Sequence, residues 1–372
     1  MKTGKTLQEL ATELDRQTKT RRDFIAPQAR IEAVPVSVAE GGGIRIGGVN
    51  GGDMPVRPHG HKQLSDLLGI PTRYYQRMAE EQPDLLAHNV NTWLRADPEN
   101  KRMIRTLDGE VRAVLSPKYR PLDNFDLAQV VLPKLIELNA QIVSAELTET
   151  RMYVKAILPA LSDDLPPGMT WGNGHNAVAE YRGNAAGKVV AAIVVSNSEV
   201  GAGTLRVEPS VFTTWCTNLA ILKERAMRKY HIGRSFEADA HLEVFRDETR
   251  QADDRAFFMK VADVTAAAFD RKLFEAAVKD IHMAAERPIE SKELAKVVDA
   301  AVVQLSLPPS SSGSILTYLA QGGDLSQWGL SSAITAASTA LADYEDATAF
   351  ERAGGEVITL SPKEWSVISR AA

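Results

Sequence analysis

The dipeptide Asp108-Gly109 stands between two strand-like runs, Arg102–Leu107 and Glu110–Leu115. Of all the local patterns, this one most narrows what the chain can fold into. A two-residue turn of this kind needs positive φ at both central positions, which Asp and Gly tolerate, and it joins antiparallel strands. Val111, Ala113 and Leu115 then share one side of the second strand, with Arg112 on the other. Four further strands are predicted: Gln141–Thr148 and Arg151–Leu158, joined at Glu149-Thr150, then Lys188–Asn197 and Thr204–Phe212.

Helical spacing dominates elsewhere. Leu7–Gln17, Lys62–Leu68, Pro71–Glu81 and Pro83–Arg95 read as helices, and Asn124 reads as the N-cap of another that Pro133 should kink or shorten. Residues 159–187, rich in Gly and Pro, read as a long loop. The stripe Trp215, Leu219, Leu222 and Ala226 predicts a helix over Thr214–Tyr230. After Gly233 the pattern is almost wholly helical, with one helix at Ser331–Arg352 stopped by Gly354-Gly355, then a short strand at Glu356–Leu360 and a capping box at Ser361-Pro362-Lys363-Glu364. The expected class is α+β: a mostly antiparallel sheet packed by helices, with a mainly helical C-terminal region. The expected organisation is an N-terminal helical and loop-rich region (1–98), an α+β core (99–234) and the helical region (235–372).

With 372 residues, 44% hydrophobic and 24% charged, the chain is long enough for a sizeable core. Cys216 is the only cysteine, so no intrachain disulfide is available, which fits a reducing compartment. Met1–Thr20 holds no apolar signal core, and no run of about 18 apolar residues suggests a membrane span. A cytoplasmic location without membrane contact is expected. The net charge of −5 is uneven: residues 1–234 hold 30 Lys+Arg against 26 Asp+Glu, whereas residues 235–372 hold 13 against 22.

The usual catalytic signatures are missing from the sequence. Gly41–Gly48 (GGGIRIGG) and Gly201–Gly203 (GAG) lack the Lys-Ser/Thr pair of a phosphate loop and read as turns. His59 and His61 are close in sequence, but no further ligand stands at a metal-site spacing, so no metal or other cofactor is expected. Cys216 beside Trp215 reads as a buried structural thiol. Ser196-Asn197-Ser198-Glu199 reads as a strand-end turn in which Asn197 satisfies local backbone groups. A composite active site, for instance Asn197 and Glu199 with His175, stays open.

Basic residues do cluster. Lys223, Arg225, Arg228, Lys229 and Arg234 surround one predicted helix end, opposed only by Glu224. Lys101, Arg102, Arg105, Arg112, Lys118 and Arg120 lie on and after the hairpin with Tyr119 among them, and Arg73, Tyr74, Tyr75 and Arg77 form a third group. Cations neutralise phosphates and rings stack on unpaired bases.

Several segments resemble a known family. Leu115–Asn124 (LSPKYRPLDN), the strand into Ser196–Gly201, Val211–Leu219 (VFTTWCTNL), His231-Ile232-Gly233 and Trp328–Ala337 (WGLSSAITAA) are similar to the phage/plasmid-like proteins grouped as domain of unknown function 932. One departure is Asn218-Leu219, where the family has Asn-Gly. The resemblance covers most of residues 60–372 and implies a mobile-element origin, with no defined activity, cofactor or catalytic residue. The order of elements also loosely resembles phage single-strand annealing proteins, a fold-level likeness that says little about function.

The expectation is therefore a non-enzymatic nucleic-acid-binding protein, with single-stranded DNA as ligand in replication or recombination. Lys223, Arg225, Arg228, Lys229, Arg234, Arg105, Arg112, Lys118 and Arg120 would meet phosphate, and Tyr119 or Tyr74 would stack on a base. The alternative is an oligomerising structural or host-interaction protein, a homo-oligomer that does not bind nucleic acid.

Overall fold

The structure is a computed structural model that describes residues 1–119, 121–165, 187–214, 218–222 and 247–371. Its class is α+β, as the pattern predicts, with antiparallel sheets and a helical C-terminal region. No helix among the described residues is long and apolar enough to cross a membrane.

The centre is a five-stranded antiparallel sheet. It is built from β7 (Gln141–Leu147), β8 (Met152–Asp164), β9 (Lys188–Asn197), β10 (Arg206–Thr213) and β11 (Asn218–Ile221), in the order β11-β10-β9-β8-β7. Both faces are covered, so β9 reads as a nearly unbroken apolar run. Val189, Ala191, Ile193 and Val195 enter one core with α1 (Leu7–Thr20), α5 (Asn124–Glu137), α6 (Asp247–Ala267) and α7 (Arg271–Ala285). Val190, Ala192 and Val194 enter a second core with Tyr153, Phe212 and Tyr344 from α11 (Tyr344–Thr359). Burial of such side chains stabilises by about 1.5–3 kcal/mol each.

The Asp108-Gly109 hairpin forms as expected, with φ 56° and 80° at the two turn residues. Its strands are β5 (Lys101–Leu107) and β6 (Glu110–Leu115). The N-terminal region supplies more strand than its pattern suggests. β1 (Arg22–Pro27) pairs with β5, giving a sheet of order β1-β5-β6. A small sheet of β2 (Glu32–Pro35), β3 (Ile44–Gly47) and β4 (Met54–Pro55) packs on α4 (Pro83–Ala96), with α2 (Pro58–Leu67) and α3 (Thr72–Glu81) beside it. The C-terminal helices α8 (Leu294–Gln304), α9 (Ser312–Gly322), α10 (Gln327–Ala337), α11 and α12 (Pro362–Ser369) enclose their own core.

Several sequence expectations are corrected. Asp123 rather than Asn124 holds the N-cap position of α5, and the helix expected over Ser331–Arg352 is split between α10 and α11, parted at residues 338–343. The helix predicted over Thr214–Tyr230 is replaced, where it is described, by β11, which pairs Leu219 with Phe212. All four of its residues are buried, and the ladder to β10 outweighs a stripe of only two apolar residues within the segment. Glu356–Leu360 is no strand, because α11 runs on to Thr359. Gly354 and Gly355 do not stop that helix. They lie inside it, and a Cβ on Gly355 would be driven into the Ile221 carbonyl of β11. Pro133 is also accommodated, since α5 continues to Glu137.

Candidate functional site

The turn after β9 is held by side chains from several other elements. Asn197 donates from Nδ2 to the Leu122 carbonyl at 2.8 Å and to Asn124 Oδ1 at 2.9 Å. Glu199 accepts from Arg112 Nη1 at 2.7 Å and from the backbone N–H of Asn124, at the start of α5, at 3.0 Å. The Glu199 carbonyl accepts from Arg105 Nη1 at 2.6 Å, and the Val200 carbonyl accepts from Gln63 Nε2 at 2.8 Å. His59 Nε2 lies 3.0 Å from that same carbonyl. Asn197 thus satisfies backbone and side-chain groups, but they lie 75 and 73 residues away rather than in its own turn, which corrects the expectation of a local role.

Two expected phosphate contacts lie inside this network. Arg105 is fully buried and bridges Asp23 and Asp123, both at 2.8 Å. Burial opposes its charge, but the two carboxylates prevail and raise its pKa. Arg112 is 4% exposed and paired with Glu199. Both are therefore corrected from surface contacts to buried ion-pair members. The cause is the register of β1 against β5 and the burial of both hairpin faces, which sequence alternation alone does not reveal. Lys118 is exposed, and Tyr119 is half-buried with its hydroxyl donating to the Ser198 carbonyl at 3.2 Å. Arg120, Lys223, Arg225, Arg228, Lys229 and Arg234 lie outside the described residues.

The histidine pair separates. His61 Nδ1 meets Tyr75 Oη at 2.9 Å, and burial lowers its pKa, whereas His59 faces the β9–β10 turn. No group of metal-ligating side chains converges among the described residues. Of the third basic group, Arg77 pairs with Glu81 and Tyr75 is buried, while Tyr74 is 47% exposed.

Two charged clusters escaped the sequence reading. Lys155 on β8 and Glu351 on α11 form a buried ion pair at 2.6 Å, with Lys155 Nζ 4.4 Å from the Tyr344 ring centroid. The signal was a lone lysine in the apolar run Met152–Leu158. Nearby, Arg352 forks onto Glu208 at 3.1 and 2.7 Å. Burial opposes the Arg352 charge, but Glu208 outweighs it and raises the pKa. Arg206, at the start of β10, has its pKa lowered by burial and by the Arg352 charge. Arg151 donates to the Ala202 carbonyl. These arginines mark the end of the sheet where β9 finishes and β10 begins.

A cavity of about 30 Å³, the scale of one or two water molecules, is lined by Arg57, Arg112, Asn124, Thr148, Arg151 and Glu199 among others. A wider groove of about 550 Å³ runs between Ala285–Pro288 and Gly322–Ser326, with Glu286 and Asp324 as its charged members, which suits no polyanion.

No family model, curated protein or solved structure matches this chain, so the resemblance to the domain of unknown function 932 family rests on its own quoted residues.

Proposed function

We propose that this protein binds single-stranded nucleic acid, without chemistry of its own, through the basic run Lys223–Arg234 and the sheet end that it follows. The supporting observation is the direction of β11. It is antiparallel to β10 and so points toward the same end of the sheet as the C-terminus of β9. Arg151 and Arg206 stand at that end, and the sequence after Leu222 supplies Lys223, Arg225, Arg228, Lys229 and Arg234. Lys118 is exposed beside Tyr119, whose hydroxyl reaches the same turn. Guanidinium and ammonium groups suit a phosphate backbone, and Arg151 and Arg206 at the sheet end precede the run Lys223–Arg234 in the sequence.

The test is a titration with single- and double-stranded oligonucleotides at two ionic strengths. Binding to the single strand that weakens steeply with salt is expected. No affinity, or an affinity indifferent to salt, would remove the proposal.

One observation favours the alternative, an assembly of copies of this chain or of this chain with a host protein. Ile25 is 58% exposed on β1, whose outer edge carries no partner strand among the described residues. Sedimentation of the free protein separates the readings: stable oligomers without nucleic acid support the second.

A further inference from the structure

Arg206 on β10 is in register with Ser196 on β9, and Ser196 is in register with Tyr153 on β8. Residues directly opposed in antiparallel strands project from the same face. The three therefore form a row on the face that α11 covers, where the Tyr153 ring lies 5.3 Å from that of Tyr344, tilted by 45°. Arg352 reaches this region from α11, and Arg151 immediately precedes β8.

The charges do not balance. Glu208 accepts both arms of Arg352. Glu345 accepts the hydroxyls of Thr148 and Thr150, and Glu351 accepts Lys155 through Oε2, its buried Oε1 having no partner among the described residues. Arg151 has a backbone carbonyl as acceptor. Arg206 Nε and Ser196 Oγ are both buried without a hydrogen-bond partner among the described residues, and Ser196 is fully buried. An unpaired buried donor is unfavourable, because its hydrogen bond to water is lost without replacement. These two donors are adjacent across strands and stand beside the guanidiniums of Arg352 and Arg151, which have acceptors, while they themselves have none among the described residues.

We propose that Arg206 and Ser196, with Arg151 beside them, form a receiving site for a phosphoryl oxyanion. A guanidinium fork matches two oxygens of a tetrahedral phosphate, and a serine hydroxyl supplies a third donor. Burial, and after it the Arg352 charge, lowers the pKa of Arg206. The assignment of the phosphate to a nucleic-acid strand rests on the function proposed above; the site itself does not, because free phosphate has the same chemistry.

The experiment compares wild type with R206Q, R206K and S196A in two measurements. One is thermal unfolding in inorganic phosphate against chloride at matched ionic strength. The other is binding of a labelled 20-nucleotide oligo-dT at two ionic strengths. Phosphate should raise the wild-type Tm above the chloride control, R206Q should abolish that rise, and R206K should keep part of it. With oligo-dT, R206Q should weaken binding roughly tenfold and flatten the log–log salt dependence by about 0.7, the value of one phosphate contact on a single strand. A phosphate response lost in R206Q without any oligo-dT binding keeps the site and removes the nucleic-acid reading. Oligo-dT binding that R206Q leaves unchanged, with no phosphate-specific rise in Tm, removes the site and keeps the reading. Equal phosphate responses in wild type and R206Q also overturn the site. R206K serves as the folded control.

Discussion

Lys155 and Glu351 join the central sheet to α11 through a 2.6 Å ion pair in which neither side chain reaches solvent. Both charges are removed from water, so the pair stabilises little by itself, but breaking it leaves one charge stranded. Glu351→Gln should cost roughly 3–5 kcal/mol. The double variant Lys155→Met/Glu351→Leu removes both charges at similar volume and should recover most of that loss. Urea unfolding of wild type, single and double variants checks this. A double variant no better than the single would mean that packing, not charge, governs the contact.

His61 predicts a pH effect. Burial lowers its pKa below the ordinary 6.5, and its Nδ1 meets the Tyr75 hydroxyl. The unfolded chain therefore binds the proton more readily than the folded one below 6.5. Stability should fall as pH drops from 6.5 toward the folded-state pKa, then level off as far as this group is concerned. The His61→Gln variant, which cannot titrate there, should lose less stability between pH 7.5 and 5.5 than wild type. Denaturant midpoints at the two pH values measure the difference.

Gly355 sets how closely α11 approaches β11. A methyl group there meets the Ile221 carbonyl, so Gly355→Ala should destabilise by about 1–3 kcal/mol, although alanine is the better helix former. An isolated α11 peptide carrying the same change should gain helicity by circular dichroism. Opposite signs in protein and peptide would tie the effect to the contact.

The same glycine explains what could be read from the sequence. Asp108-Gly109 was legible because its turn is local: two φ angles and two flanking strands suffice. Gly354-Gly355 looks like a helix stop for an equally local reason, but the helix continues because its neighbours need a smooth surface there. The β11 segment misleads similarly, since Leu219 and Leu222 fit a helix while the open edge of β10 captures the chain as strand. At the candidate site, the turn Ser196–Gly201 was legible as polar and strand-terminal. Its partners Arg105, Arg112 and Asn124 were not, because they lie at least 73 residues away and no period in the sequence joins them. Arg206 carried no signal, since only strand register places it beside Ser196.

Burial separates two kinds of arginine in the nucleic-acid proposal. Arg112 is held by Glu199 and is 4% exposed, whereas Lys118 is exposed. Arg112→Met strands the Glu199 carboxylate and should cost roughly 3–5 kcal/mol of stability. It should leave the salt dependence of oligonucleotide binding unchanged under conditions where the protein remains folded. Lys118→Ala should do the reverse, with stability altered by less than about 0.5 kcal/mol and a slightly flatter salt dependence. Paired unfolding and binding titrations on both variants check the division.

The basic run after β11 carries the strongest expectation. Arg225 and Arg228 stand three residues apart with only Glu224 as an opposing charge in the run Lys223–Arg234. Reversing both, Arg225→Glu/Arg228→Glu, replaces two attractions with two repulsions. On a single strand, losing two phosphate contacts alone flattens the log–log salt slope by about 1.4, and the added repulsion should take affinity at low salt down by more than a hundredfold. Double-stranded and single-stranded ligands should lose affinity together, because phosphate contacts carry no sequence or strand information. The measurement is fluorescence polarisation across a salt series, with sedimentation run on the same samples. If charge reversal leaves binding intact while assembly state changes, the cations serve contacts between protein chains, and the oligomerising alternative takes the place of the nucleic-acid reading.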